Sequence, residues 1–159
     1  MEKRIFAPAD GEIIELENIT DEVFSSGIMG EGFGVLPSNG KIYSPVSGII
    51  ESIHRAKHAY SISSDGLDVL VHIGIDTVEL DGECFESLVK IGDRVECGDK
   101  IASADIDKIL EKGFDPVVVV IVSSEGKIEN VKVKVGECKS SDSVMTFDVK
   151  ENPKAQISL

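Results

Sequence analysis

The sequence contains few cysteines, and their arrangement excludes two kinds of small scaffold. Only three occur in 159 residues, Cys84, Cys97 and Cys138, and no two of them form a C-x-x-C motif. An odd number without that spacing indicates neither a disulfide framework nor a zinc ribbon. We therefore expect reduced thiols in a cytoplasmic protein, because disulfides are rare in that compartment.

Long apolar segments are also missing. The longest apolar run, residues 117–122 (VVVVIV), is far shorter than the roughly 20 residues that a membrane-spanning helix needs. The N-terminal sequence MEKRIFAPADGEIIEL lacks the apolar region of a secretory signal. We expect no direct insertion into a membrane.

Basic residues are scarce relative to acidic ones. The chain has 16 lysines and arginines against 29 aspartates and glutamates, which gives a formal net charge of −13. Because nucleic-acid binding depends on neutralising phosphates with basic side chains, we expect no nucleic-acid partner. The charge favours solubility, and an acidic rim can also steer a basic protein partner.

The segments between turn residues are short and rich in β-branched side chains. Gly, Asn, Asp and Pro interrupt them every several residues, and no long helices alternate with them. This spacing predicts an all-β protein, a compact antiparallel β-sandwich or flattened barrel with one or two short helices. Eight segments are predicted as strands: 11–16, 32–37, 40–45, 48–53, 60–63, 67–73, 117–122 and 130–135.

One helix is predicted at 105–113, where Asp105 is a suitable N-cap and Gly113 a suitable C-terminal residue. A second short helix is expected within 83–92. No low-complexity linker or plausible boundary interrupts the chain, and its length suits one core. We therefore predict a single domain over residues 1–159.

Two of the three histidines, His58 and His72, flank a turn-like sequence at 64–66 (SDG). A three-residue hairpin loop there pairs residues whose numbers sum to 130, so that His58 directly faces His72. Directly opposed residues share a face, with Cβ atoms about 4.5–5.5 Å apart. In the same register Tyr60 faces Leu70 on that outward face.

Two imidazoles at this distance support three kinds of chemistry. As metal ligands, His58 and His72 need help from a partner's carboxylate, since zinc takes four ligands in structural sites and three protein ligands in catalytic ones. They can also act as an acid/base pair, or one can attack phosphorus while the other stabilises charge. The last role needs an unprotonated nitrogen on a ring that donates from its other nitrogen to a carbonyl. Gly74, two residues after His72, leaves room for such a carbonyl.

Five stretches of the sequence carry a family pattern: 21–37 (DEVFSSGIMGEGFGVLP), 40–50 (GKIYSPVSGII), 57–59 (KHA), 71–85 (VHIGIDTVELDGECF) and 92–101 (GDRVECGDKI). The block VHIGIDTV with an upstream HA at this separation is highly specific. These stretches resemble glucose-type enzyme IIA of the bacterial sugar phosphotransferase system, and the resemblance runs from about Ile5 to Val135.

This resemblance implies a phosphotransferase domain that works in a phosphoryl relay. His72 is implied to be phosphorylated on Nε2, and His58 to lie beside it and stabilise the phosphoryl group. The implied donor is the histidine-containing phosphocarrier protein, and the implied acceptor is a cysteine of a sugar-specific IIB domain. No cofactor is required beyond the transient phosphohistidine, and zinc would bind only with a partner carboxylate.

The resemblance also implies a docking rim around the histidines. Phe24, Met29 and Leu70 match an apolar surround that excludes water from phosphohistidine and offers a surface to partners. Asp21 and Asp76 match acidic positions. Because a carboxylate repels phosphate, we expect these two to contact a basic partner or to orient the ring.

The chain departs from the family pattern beside the first histidine. Ala56 stands where a threonine is usual, which removes a hydroxyl that would orient His58. His54 stands where a large apolar residue is common, and we expect it to be a solvent-facing strand residue or part of the rim. Gly34 replaces a frequent alanine.

Three other functions compete with the relay. A biotinyl or lipoyl carrier has a lysine at its hairpin tip, which residues 64–66 lack. A zinc peptidase of related β architecture needs a third protein ligand and a general base, and neither has recognisable spacing. A regulator that binds other proteins through the same rim is compatible with the relay.

Overall fold

The computed structural model describes residues 2–123 and 127–150, so the ends of the predicted 1–159 domain lie outside the described residues. Helices are short: α1 is Glu22–Ser25 and α2 is Ile106–Glu111. The strands of these ranges are β1 Glu2–Phe6, β2 Gly11–Glu15, β3 Glu31–Pro37, β4 Lys41–Tyr43, β5 Gly48–Ile53, β6 Ala59–Ser64, β7 Leu67–Ile73, β8 Phe85–Ser87, β9 Arg94–Val95, β10 Lys100–Ala104, β11 Val118–Ser123, β12 Ile128–Val133, β13 Gly136–Cys138 and β14 Ser143–Val149. No helix within the described ranges is long and apolar enough to cross a membrane.

Three antiparallel sheets form a flattened sandwich. The largest sheet has the strand order β13-β2-β3-β11-β7-β6-β5-β9, and the smaller ones have the orders β1-β14-β12 and β4-β10-β8. Side chains from all three sheets meet in one main core that includes Phe33, Ile101 and Phe147. The predicted fold class is confirmed in its sandwich form, and every predicted strand segment contains a strand.

The apolar run of β11 is buried on both of its faces. Val118, Val120 and Val122 belong to the main core. Val119 and Ile121 belong to a second apolar cluster on the opposite face of the large sheet, together with residues of the segment that contains α1. Alternate side chains of a strand point to opposite faces, so a strand covered on both sides reads as a continuous apolar run.

The hairpin between β6 and β7 has a two-residue loop, so the predicted three-residue loop is wrong. Ser64 pairs with Leu67, and the loop residues Asp65 and Gly66 both have left-handed backbones, with φ of 49° and 80°. Two left-handed residues form a type I′ turn, whose twist matches that of the flanking strands, and Asp-Gly is one of its preferred sequences.

The register of this hairpin is therefore shifted by one residue from the prediction. His72 pairs with Ala59 rather than with His58, and Tyr60 pairs with Val71. Tyr60 is fully buried in the main core instead of lying on the outward face with Leu70. A shift of one residue moves every side chain of a strand to the other face.

The two helix predictions have opposite outcomes. Asp105 caps α2 as predicted, because its Oδ1 accepts a hydrogen bond from the amide of Lys108 at 3.1 Å. The second helix expected within 83–92 is wrong: this region contains β8, which pairs with β10. Phe85 is buried and Glu86 is exposed, as expected where successive side chains of a strand point to opposite faces.

The left-handed backbone of Asp65 generates a testable prediction. Asp and Asn tolerate this conformation, whereas other non-glycine residues pay roughly 1–2 kcal/mol for it. Asp65→Ala should therefore lower the free energy of unfolding by about 1 kcal/mol relative to Asp65→Asn. The asparagine variant is the matched control, because both substitutions remove the charge that contacts Lys3. Equal denaturation midpoints for the two variants would contradict the two-residue turn and favour the three-residue loop at 64–66.

Candidate functional site

His72 lies in β7, on the face of the large sheet opposite to the main core. It pairs with Ala59 on one side and with Val119 on the other, and its neighbours in the strand, Val71 and Ile73, point into the main core. The ring of His72 is partly buried beside the second apolar cluster, and the ring centroid of Phe24 lies 5.0 Å away.

The backbone just after β7 fixes the orientation of the His72 ring. Nδ1 of His72 lies 2.8 Å from the carbonyl oxygen of Gly74. Because a carbonyl oxygen only accepts, Nδ1 carries the hydrogen, and in the neutral ring Nε2 keeps its lone pair. Gly74 has a φ of 80°, and a Cβ there would collide with the side chain of Thr77, so a glycine is required.

His58 lies outside the regular part of the hairpin. It precedes the first residue of β6 and follows Lys57, whose φ of 65° is left-handed. The carbonyl of His58 still accepts a hydrogen bond from the amide of Ile73 at 2.7 Å. Since strand alternation does not govern a side chain at such a turn, the ring of His58 can lie on the side of His72 despite the shifted register.

The structure brings the two rings together. The centroids of His58 and His72 are 4.9 Å apart, with the ring planes at 86° to each other. His58 is buried, with only 4% of its surface exposed, whereas His72 is open to solvent in part. The predicted proximity of the two histidines is confirmed, although the pairing from which it was deduced is wrong.

Burial keeps both rings neutral near pH 7. Desolvation, followed by the nearby His72 and His54, lowers the pKa of His58 to about 4. Desolvation also lowers the pKa of His72, and it outweighs the opposite effects of the Gly74 carbonyl and of the Asp21 charge. A neutral His72 with its hydrogen on Nδ1 presents an unprotonated Nε2, which is the form that a nucleophile needs.

The five predicted rim residues differ in their relation to His72. Phe24 is buried and stacks obliquely beside the His72 ring, and Leu70 lies partly buried against the second cluster. Asp21 caps α1 by accepting from the amide of the second helical residue at 2.8 Å. Asp76 has a left-handed backbone, and the charges of both aspartates act on His72. Met29 is exposed in the turn before β3.

Three further exposed apolar residues lie next to these rim positions in the chain. Val23 precedes Phe24, Ile28 precedes Met29, and Val78 follows the turn at Asp76; they are 54%, 81% and 46% exposed. They are not among the predicted rim residues. The sequence does indicate the region of the rim in which they lie, because all three are within the stretches that resemble the enzyme IIA family.

His54 lies just beyond the end of β5 and is exposed, with its ring centroid 4.6 Å from that of His58. The sequence predicts a solvent-facing strand position or a rim position for His54, and no relation to His58. A separation of four residues across a turn does not by itself predict that the rings of His54 and His58 touch. The hydrogen bonds that close the turn bring them together.

The histidines supply too few ligands for a metal site of the chain's own. Among the described residues, no group of three His, Cys, Asp or Glu side chains is arranged to hold a metal ion. Zinc needs at least three protein ligands. A zinc site on His58 and His72 therefore stays a prediction that depends on a carboxylate from a partner.

The comparison with known families identifies the chain. Residues 3–128 match the family model described as phosphoenolpyruvate-dependent sugar phosphotransferase system, EIIA 1. The chain belongs to this family. The glucose permease IIA of Mycoplasma capricolum, a solved structure, superposes with a TM-score of 0.85 at 36% identity, covering 92% of this chain and 96% of that one.

Relatives of similar sequence differ in length. The glucose-specific EIIA component of Oceanobacillus iheyensis is 41% identical over 140 residues, 87% of this chain and 85% of that protein. The glucose-specific EIICBA component of Streptococcus pneumoniae is 41% identical over 92% of this chain, and the β-glucoside-specific EIIBCA component of Bacillus subtilis is 38% identical over 90%. The chain spans only 20% and 24% of the length of these last two.

The lowered pKa of His58 predicts a pH dependence of stability. An unfolded histidine titrates near 6.5 and His58 in the folded chain near 4, so between these values the unfolded state binds more protons. The contribution of His58 to stability is present above pH 6.5 and is lost as the pH falls towards 4. Relative to the parent, His58→Phe should therefore gain stability over that window, as followed by urea unfolding at several pH values. If the difference in unfolding free energy between His58→Phe and the parent stays constant between pH 7 and pH 4, the lowered pKa of His58 is contradicted.

Proposed function

We propose that the chain carries a phosphoryl group on His72 within a sugar phosphotransferase system. It accepts the group from the histidine-containing phosphocarrier protein and passes it to a cysteine of a sugar-specific IIB domain. The observation that supports this most strongly is the hydrogen bond from Nδ1 of His72 to Gly74, which leaves Nε2 unprotonated and directed away from the backbone.

Both transfers are substitutions at phosphorus. In the first, the Nε2 lone pair of His72 forms a bond to phosphorus, and the P–N bond of the donor's phosphohistidine breaks with its electron pair left on the donor ring. In the second, a thiolate sulfur of the IIB domain forms the new bond, and the Nε2–P bond breaks and returns its electron pair to His72. Neither step needs an oxidant or a metal, and positioning supplies most of the catalysis.

His58 stabilises the phosphoryl group during both transfers. Its ring lies edge-on to His72 at a centroid distance of 4.9 Å, where an N–H can reach the oxygens of a phosphoryl group whose phosphorus is bound to Nε2. Because His58 is desolvated, a hydrogen bond to charged oxygens is stronger there than in water. The negative phosphoryl group in turn favours the protonated form of the neighbouring imidazole.

The rim provides the surface on which donor and acceptor dock. Apolar side chains beside His72, namely Phe24 and Leu70, exclude water from the labile phosphohistidine. Asp21 and Asp76 meet basic residues of the carrier, and the net charge of −13 assists the encounter. Zinc bound to the two histidines and a partner's carboxylate remains a separate proposal for the same surface.

The choice of sugar belongs to other parts of the system. The relatives with similar sequences carry the names glucose-specific and β-glucoside-specific, and in two of them the matching segment is a fraction of an EIICBA or EIIBCA protein. A relay that hands over only a phosphoryl group does not contact the sugar. We place the relay in the cytoplasm, which agrees with three free cysteines in the described part of the chain.

Mass spectrometry with phosphoenolpyruvate, the first enzyme of the system and its carrier protein tests the proposal. The parent should gain one acid-labile phosphoryl group, and His72→Gln should gain none. His58→Gln should still be labelled but should pass the group to a IIB domain about 100-fold more slowly, since it lacks the imidazole beside phosphorus. Labelling of His72→Gln at the parent's rate would overturn the assignment of the nucleophile.

A matched pair of surface valines tests the docking rim. Val23 and Val135 are 54% and 53% exposed, but only Val23 is adjacent in the chain to Phe24, which packs against His72, while Val135 adjoins β13, which three strands separate from β7 in the large sheet. Val23→Ser should raise the KM for the phosphorylated carrier about 3- to 10-fold with little change in kcat, because it removes apolar contact area at the interface. Val135→Ser should leave both parameters unchanged. An equal response of the two variants would exclude this rim as the docking surface.

A further inference from the structure

Three histidine rings form a continuous row across the site. The centroids of His54 and His58 are 4.6 Å apart with the planes at 61°, and those of His58 and His72 are 4.9 Å apart with the planes at 86°. His54 is exposed at one end, His58 is buried in the middle, and His72 is partly buried at the other end. His54 has no part in the transfers described above.

A closed turn holds His54 and His58 at a fixed separation. The carbonyl of His54 accepts from the amide of Lys57 at 2.7 Å, and the amide of His54 donates to the carbonyl of Ala59 at 2.9 Å. The ring of His54 is fixed as well, because its Nδ1 accepts a hydrogen bond from the amide of Ala56 at 3.0 Å. An exposed side chain that accepts from its own turn has lost most of its rotational freedom.

The ring of His58, in contrast, has little hydrogen bonding to hold it. Its Nδ1 is buried and has no hydrogen-bond partner among the described residues. Packing against other rings therefore sets its orientation: His54 on one side, His72 on another, and Phe85 at a centroid distance of 6.3 Å. Of these, His54 is the closest to His58.

We propose that His54 is a positioning residue for phosphoryl transfer, because its ring, anchored by the Ala56 amide, holds the ring of His58 edge-on to His72. This inference rests on the proposed function and assigns a third histidine to the same site. Without His54, the ring of His58 rotates over a wider range, and its N–H points less often at the phosphoryl oxygens. A misplacement of a catalytic contact by about 1 Å can reduce a rate 100-fold.

Three substitutions of His54 distinguish the effect of its ring contact with His58 from the effect of its hydrogen bond with the Ala56 amide. His54→Ala removes both, His54→Asn keeps an acceptor for the Ala56 amide, and His54→Phe keeps the ring contact. We expect single-turnover transfer from phosphorylated His72 to a IIB domain to slow about tenfold in His54→Ala and His54→Asn, with an unchanged KM. His54→Phe keeps the ring contact but loses the anchoring hydrogen bond, so its rate should lie between those of the parent and His54→Ala. Arg55→Ala, an exposed neighbour in the same turn, is the matched control and should transfer normally.

Combination with His58→Gln tests whether His54 acts through His58. If it does, adding His54→Ala to His58→Gln causes no further loss, because residues that act as a unit are not additive. A further tenfold loss in the double variant would mean that His54 acts directly and would overturn the inference. Long-range ¹H–¹⁵N spectra of the imidazoles provide a second readout: the ring shifts of His58 should change in His54→Ala and stay close to the parent's in Arg55→Ala.

The outcomes distinguish this inference from the proposed function. If the parent is not phosphorylated on His72, the relay itself is wrong. If the parent is phosphorylated and passes the group on, but His54→Ala and His54→Asn match its rate, the relay stands and only the positioning role of His54 is lost. Slow transfer by His54→Phe together with normal transfer by His54→Asn would also contradict the role of the ring contact.

Discussion

The site depends on one hydrogen bond, from Nδ1 of His72 to the carbonyl of Gly74. Several contacts hold that carbonyl in place: the amide of Gly74 donates to Val117 at 2.7 Å, and the amide of Ile75 donates to Asp115 at 2.9 Å. The hydroxyl of Thr77 donates to the carbonyl of Ile73 just before the turn. The ring of His72 is therefore oriented by the sheet itself, through the segment that leaves β7, and not by a mobile side chain.

Much of this architecture could be predicted from the sequence, because the relevant signals are local. Turn residues at short intervals and β-branched segments identify the strands, and the cap at Asp105 identifies α2. The glycine two residues after His72 indicates the carbonyl that orients the ring. The apolar run at 117–122 marks a strand covered on both faces, although the second apolar cluster that covers it appears only in the structure.

The errors concern relations that local signals do not fix. Ser64-Asp65-Gly66 fits a three-residue loop, but Asp-Gly favours a two-residue turn, and the register follows from that choice. The wrong register did not affect the predicted proximity of the two histidines, because His58 lies just before the start of β6, next to the left-handed Lys57, where strand alternation does not apply. The contact of His54 with His58 likewise results from a closed turn, which no pattern of residue types indicates.

The fold fixes His72 as a neutral ring with its hydrogen on Nδ1 and a free lone pair on Nε2. Long-range ¹H–¹⁵N correlation spectra of the histidine-labelled protein test it most directly, because protonated and unprotonated ring nitrogens have well-separated ¹⁵N shifts. At pH 7 we expect a protonated-type shift for Nδ1 and an unprotonated-type shift for Nε2 of His72. A charged imidazolium, or a hydrogen on Nε2, at that pH would contradict it.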